Sequence, residues 1–335
     1  MTAARLLEEQ LERIVRYAAM APSLHNTQPW RFRLTGEQLE LRADRARHLT
    51  ATDPDGRQLL ISCGAALLGA RLAIRALGRR EHVTLLPDDV DDDLLACMTI
   101  GEPAPWAEQD ARLLSALPRR HTVRGGFLDT EVDGQLRLDL QRMAASEGAR
   151  LFLLEHVGHR RAVTELVAAA ERAQRAHPHV QRELRTWTPP EGQARADGVP
   201  SWAYPSVPPP AGAESLSPRD FDAGRRVGGL PAPRGAATGL PAVLLTPADT
   251  RRDWLVAGSA LQAVLLTAAA AGVQASLHSQ PIGLAGLRSL IADEVGVGAQ
   301  PQMVLQLGHA APSPGTPRRA PGDVIDAPVV RPRAR

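Results

Sequence analysis

The chain contains no lysine; all 39 of its Lys+Arg positions are arginine. Any cationic contact to a phosphate or carboxylate must therefore come from a guanidinium or a histidine. Aromatics are also sparse, with 5 Trp, 2 Tyr and 4 Phe in 335 residues, and the formal net charge is only +2. So little stacking surface and so small a positive excess argue against nucleic acid as a partner. The two cysteines, Cys63 and Cys97, have neither the spacing of a metal site nor that of a disulfide framework, which suits a reducing cytoplasm. His156 with His159 and His177 with His179 lack a convergent third ligand and a Glu at HExxH spacing, so surface histidines and no metal are expected. A glycine-rich dinucleotide fingerprint is missing too, which leaves a nicotinamide without a domain of its own. The N-terminus lacks a basic region followed by an apolar core, so no signal peptide is expected. The longest apolar run, Trp254 to Val273, is mostly alanine and is broken by Ser259, Gln262 and Thr267, which reads as a buried interface helix rather than a membrane span.

What is present begins with a helix and a turn. Leu7, Leu11, Ile14, Val15 and Ala18 recur at helical spacing, and the helix should stop near Ala21 because the residue before Pro22 is pushed out of the α region. Trp30-Arg-Phe-Arg-Leu34 then alternates like a half-buried strand. Between them, Ala21-Pro-Ser-Leu-His-Asn-Thr-Gln-Pro-Trp30 carries Ser23, His25, Asn26 and Gln28, side chains suited to the edge of a flat polar molecule. The same composition is compatible with an Asx-type turn that satisfies only its own backbone. A second segment, Arg119-Arg-His-Thr-Val-Arg124, has the outline of a phosphate clamp, since guanidinium forks match phosphate oxygens and a threonine hydroxyl adds a donor. In so Arg-rich a chain the alternative is a solvated face.

An internal duplication connects the halves. Gly64 to Gly78 aligns without gaps on Gly258 to Gly272, with identities at Gly64, Ala66, Leu67, Leu72, Ala76 and Gly78. Both stretches lead to a strand ending in glycine, Met98-Thr-Ile-Gly101 and Leu305-Gln-Leu-Gly308, and Arg150-Leu-Phe-Leu-Leu154 resembles Trp30 to Leu34. A length of 335 residues and 44% hydrophobic content fit two closely packed copies. Phe32 and Gly64 lie 32 residues apart whereas Phe152 and Gly258 lie 106 apart, so the second copy carries 74 more residues. These comprise a polar helical stretch from about His156 to Arg185 and a segment from Trp187 to Pro241 holding 11 of the 28 prolines. Such proline density forbids regular helix, and Trp187, Trp202, Tyr204 and Phe221 favour a covering lid over a solvated linker.

Together the Pro22–Trp30 turn and the Arg120–Arg124 cluster resemble the FMN-dependent nitroreductase superfamily, and the inserted segment resembles its fused two-copy, Acg-type subgroup, over about Leu6 to Ile325. The motif order is reversed relative to ordinary members, which pair two subunits around each flavin. The first copy starts too late to own an arginine motif, and the second has Ala144 to Ala149 where the turn would fall. The resemblance therefore implies one complete site per chain, at the seam. It implies an α+β fold, a three-layer α-β-α sandwich whose two fused copies form an intramolecular pseudo-dimer, divided into residues 1–115 and 116–330 with a lid over about 187–241. It implies FMN, with Arg120, Thr122 and Arg124 on phosphate and ribityl, and Ser23, His25, Asn26 and Gln28 approaching the flavin. Ser279 and Gln280 would lie near N5, and Arg318 and Arg319 would close on the phosphate. Leu24 stands where the family often has serine, and Thr122 replaces the usual serine. The implied activity is hydride transfer from NAD(P)H through FMN to a nitroaromatic, quinone or similar small acceptor, with no dedicated catalytic acid or base. The alternative is a lid-covered protein that sequesters FMN. Neither a nucleic-acid nor a membrane partner is implied, and the chain would act as a monomeric pseudo-dimer or pair further.

Overall fold

The computed structural model describes residues 3–190, 192–206, 216, 219–230, 239–296, 298–313 and 315–329. The first copy opens with α1 (Ala3–Ala18), whose Leu7, Ile14, Val15 and Ala18 are buried as the helical spacing requires. The hairpin β1 (Trp30–Thr35) and β2 (Gln38–Ala43) turns at Gly36, which sits at φ +60°, and puts Trp30, Phe32, Leu39 and Leu41 on one buried face. After α2 (Arg57–Arg75) come β3 (Arg79–Leu85) and β4 (Leu94–Pro103). A five-stranded sheet results, in the order β3-β4-β2-β1-β9, with β9 (Ile325–Val329) returning from the end of the chain to pair in parallel with β1. The outward face of β1 and β2 carries ion pairs instead of apolar residues, Arg33 and Arg42 both meeting Glu40.

The second copy follows α3 (Glu108–Ala116) with α4 (Gly134–Ser146), β5 (Arg150–Leu153), α5 (Val157–Ala176) and α6 (Pro178–Thr186). It resumes after the Pro-rich segment with β6 (Leu240–Thr246), α7 (Arg251–Ala270), β7 (Gln274–His278), α8 (Ala285–Val295) and β8 (Gln300–Gly308), before the single turn α9 (Pro321–Val324). Its antiparallel sheet runs β5-β6-β8-β7. Period-two alternation along β6 sends Ala242 and Leu244 toward α4 and α7, and Val243 and Leu245 toward α5 and α8. Helices on both faces of this sheet complete the α-β-α sandwich.

The seam is the crossing of α2 and α7. A Cβ on Gly64 would lie 2.1 Å from the Leu255 carbonyl, and one on Gly258 would lie 2.0 Å from the Ile61 carbonyl. The alignment that matches Gly64 with Gly258 also matches Ile61 with Leu255, so each helix presents the same patch to its counterpart, as an isologous interface does. The Ser259 hydroxyl donates across the seam to the Gly64 carbonyl at 2.9 Å. Arg57, at the start of α2, adds a two-pronged ion pair with Asp249, ahead of α7, and stacks on Trp254. Both helices are long and apolar enough to cross a membrane by length and composition, yet each is largely buried here against the other.

The start of α2 is held by Asp53, whose carboxylate accepts from the backbone N–H groups of Gln58 and Leu59 at 3.0 and 2.9 Å. Burial pushes this carboxyl up to about 6, against the pull of those hydrogen bonds. Removing the acceptor leaves two buried donors unmet. Asp53→Ala is expected to cost about 1–2 kcal/mol in urea unfolding, as loss of a helix cap does.

Candidate functional site

The turn between α1 and β1 is strained where its polar side chains stand. His25, Asn26 and Gln28 adopt φ of 51°, 56° and 52°, the left-handed region that non-glycine residues enter at a cost of order 1 kcal/mol each. The Ser23 hydroxyl steadies the loop by accepting from the Gln28 backbone N–H at 2.9 Å. Ser23 and His25 line a cleft that is partly open to solvent. Its floor combines Ile61 and Ala65 of α2, Leu261 of α7 and Met303 of β8, all apolar.

Asn26 and Gln28 do not point into this cleft. The Asn26 amide donates to the carbonyls of Gly198 and Pro317 at 3.0 Å each and accepts from Arg318. Gln28 donates to the Ala196 carbonyl at 2.8 Å and accepts from the Arg319 backbone N–H at 2.8 Å. An amide is both donor and acceptor, which suits these two residues to pin the covering segment and the tail to the turn. The structure commits both side chains to the covering segment and the tail. Asn26→Ala is expected to loosen the covering segment and to speed limited proteolysis within 187–230 several-fold, because local opening sets the cleavage rate there.

Arg120 to Arg124 runs beside β7, where the Val123 N–H donates to the Ala275 carbonyl at 2.8 Å. Thr122 and Arg124 thereby line the cleft. Arg120 is 7% exposed and donates to the Met20 carbonyl at 3.3 Å; Arg318, from the tail, reaches the same carbonyl at 3.4 Å. Among the described residues, none of Arg120, Arg124 and Arg318 forms an ion pair, and the Nε atoms of Arg120 and Arg318 are buried without a partner. Burial, then the neighbouring guanidiniums of Arg318 and Arg124, pushes Arg120 down to about 9; burial, then Arg318, takes Arg124 to about 10. Burial alone brings Arg318 to about 10. Three desolvated, mutually repelling cations are a configuration that calls for an anion.

Two other expected contacts go elsewhere. Arg319 pairs with Asp44 at 3.4 Å and holds the turn instead of the cluster, since a carboxylate already stands beside it. Gln280 turns away to donate to Glu171 of α5 at 3.1 Å, whereas its neighbour Ser279 does line the cleft. Sequence reasoning missed Gln58 and Ser62, polar positions one helical turn apart in the otherwise apolar stretch 58–70 of α2, and Ser276 of β7. The first pair was readable from that interruption. It also missed Arg219, which with Phe221 lines the cleft from the covering segment and carries no local sequence signal.

The described residues of that segment are anchored at several points. The guanidiniums of Arg47 and Arg195 meet the Trp187 ring at 5.7 and 5.5 Å from its centroid, and both pair with Asp197. Phe221 meets His25 edge-on at 5.7 Å and lies under Arg124 at 5.3 Å. His25 is 4% exposed with Nε2 unpartnered; burial, then Arg219 and Arg124, holds its pKa well below the usual value. It is therefore a neutral ring at physiological pH.

The model of the Nitroreductase family matches residues 2–97. The Mycobacterium tuberculosis protein Rv3131, provisionally named an NAD(P)H nitroreductase, is 36% identical over 96% of this chain and 92% of its own. The chain belongs to the nitroreductase family. The M. tuberculosis protein acg, with the same provisional name, is 29% identical to this nitroreductase-family chain over 93% of each. Among solved structures, a nitroreductase with bound FMN from Desulfitobacterium hafniense aligns over 61% of this chain and 92% of its own, at 13% identity and a TM-score of 0.37.

Proposed function

We propose that the cleft holds FMN and that the chain is a flavin-dependent NAD(P)H oxidoreductase, its single site built from both copies. The observation that carries this reading is the group of three guanidiniums, buried Arg120 and half-buried Arg124 and Arg318, with no carboxylate paired to any of them among the described residues. A phosphate monoester meets that need with two charges and several acceptor oxygens. The apolar floor from α2, α7 and β8 fits the flat ring, and orphaned buried atoms such as Gln58 Nε2 and His25 Nε2 fit its polar edges. Arg120, Arg124 and Arg318 would hold the phosphate, Thr122 the ribityl hydroxyls, and Ser23 and Ser279 the ring edges. When bound, the flavin supplies the redox chemistry, taking hydride from NAD(P)H and passing it to a nitroaromatic, quinone or similar acceptor. Uncharged His25 contributes a hydrogen-bonding group without adding to the charge of the cluster. The covering segment shields part of the cleft from water.

The division of the chain at 115/116 belongs to this proposal, as does a cytoplasmic setting, in keeping with Cys63 and Cys97 standing outside any disulfide. One chain suffices for one site, whether or not chains pair further.

A second reading rests on one observation: Arg219 and Phe221 themselves line the cleft, so the segment that seals it also narrows access for a nicotinamide. On that reading the chain sequesters FMN. Anaerobic titration of the holoprotein with NADH and with NADPH separates the two. Bleaching of the oxidised-flavin visible band within the mixing time supports the oxidoreductase; a band that persists under excess of both supports sequestration.

A further inference from the structure

The phosphate cluster leaves one cation in the cleft without a role. Arg219 lines the cleft from the covering segment, and its Nη2 is shielded from solvent without a hydrogen-bond partner. Among the described residues its side chain forms no ion pair. Two carboxylates act on it from nearby, Glu171 and Glu183, but both are committed elsewhere. Glu171 accepts from the Asp220 backbone N–H and from the Gln280 amide, each at 3.1 Å. Glu183 accepts from the backbone N–H groups of Ala51 and Thr52 at 3.1 and 2.9 Å. They temper the charge of Arg219 without meeting its N–H.

Arg219 reaches the cleft from the covering segment, whereas Arg120 and Arg124 come from the stretch beside β7 and Arg318 from the tail. The residues that follow Arg219 are anchored. Asp220 pairs with Arg175 of α5 at 3.0 Å, Phe221 packs on His25, and the Asp222 carboxylate accepts from the N–H groups of Val227 and Gly228 at 2.8 and 2.9 Å. A guanidinium with a dry unmet N–H favours a ligand that brings a negative oxygen and disfavours one that leaves it unmet.

Resting on the FMN reading above, we propose that Arg219 receives a carboxylate or similar oxyanion carried by the electron acceptor. The cleft then selects acidic acceptors over neutral ones bearing the same reducible group. A polarised oxygen on the flavin ring is the other source of this chemistry, and the test separates the two.

Para-nitrobenzoate and para-nitrobenzamide differ little except in charge. Each is titrated by calorimetry into the oxidised holoprotein without reductant. The benzoate is expected to bind at least about tenfold more tightly, the effect of one charge-assisted contact. In Arg219→Gln the two should bind within about a factor of two of each other. Arg219→Lys keeps the charge and should retain a preference above that of the glutamine variant. Absence of preference in the wild-type protein overturns the proposal, as does a preference that survives in Arg219→Gln. A parallel titration of the apoproteins with FMN reads the other source: a comparable loss of FMN affinity in Arg219→Gln assigns the guanidinium to the flavin ring and also overturns it. If the purified chain takes up no FMN, the cofactor reading fails instead. Benzoate against benzamide on the chain alone then still tests Arg219.

Discussion

Gly258→Ala is expected to lower the stability of the chain by roughly 3 kcal/mol or more and to strip it of flavin, an effect out of proportion to one methyl group. The added carbon would stand 2.0 Å from the Ile61 carbonyl and 2.8 Å from the Ala65 nitrogen, both backbone atoms of α2. Backbone in a packed helix pair cannot step aside as a side chain can, so the two helices must separate. The cleft would open with them, because Ile61, Ala65 and Leu261 form its floor on either side of that crossing. Urea unfolding and heat-released flavin measure the two parts of the effect. Gly134→Ala, where no atom lies within 4 Å of the added Cβ, is the control and should change stability by no more than about 0.5 kcal/mol.

Arg120→Met is expected to act in opposite directions on the loaded and the empty protein. FMN affinity should fall by about 2–5 kcal/mol, since truncating one member of a buried charged contact leaves the phosphate under-paired. The apoprotein should be no less stable than the wild type, and its melting temperature should be equal or higher. Arg120 is buried, lacks a carboxylate and is repelled by Arg318 and Arg124, so an apolar side chain of similar length removes a cost from the empty fold. A structural arginine would show the reverse, with the empty protein losing stability. Calorimetric FMN titration and paired thermal melts distinguish the two cases.

Much of this arrangement was written in local chemistry. Pro22 and Pro29 bound the turn, the stripe from Leu7 to Ala18 marks α1, and the spacing of Gly64 and Gly258 announces two helices that later prove to be counterparts at one crossing. The Arg120–Arg124 cluster could be read as a phosphate clamp because its residue types suit that chemistry wherever the fold puts them.

What could not be read depends on where tertiary partners fall. Asn26 and Gln28 look like ligand groups in the sequence; their positive φ angles and the arrival of Gly198, Ala196 and the tail turn them into pins for the covering segment. Arg318 and Arg319 are adjacent and chemically identical, yet Asp44 pairs with the second and, among the described residues, no carboxylate pairs with the first. Gln280 follows Glu171, a residue 109 positions away. The parallel pairing of β9 with β1 joins the two ends of the chain, and the pattern of either strand alone carries no trace of it.

The central claim is that two unequal copies share one flavin site at their seam. It is tested most directly by purifying the chain, releasing bound cofactor by heat and quantifying FMN per polypeptide after saturation and removal of excess. The account predicts one FMN per chain; two per chain would mean that each copy owns a site, and none would contradict the cofactor assignment altogether.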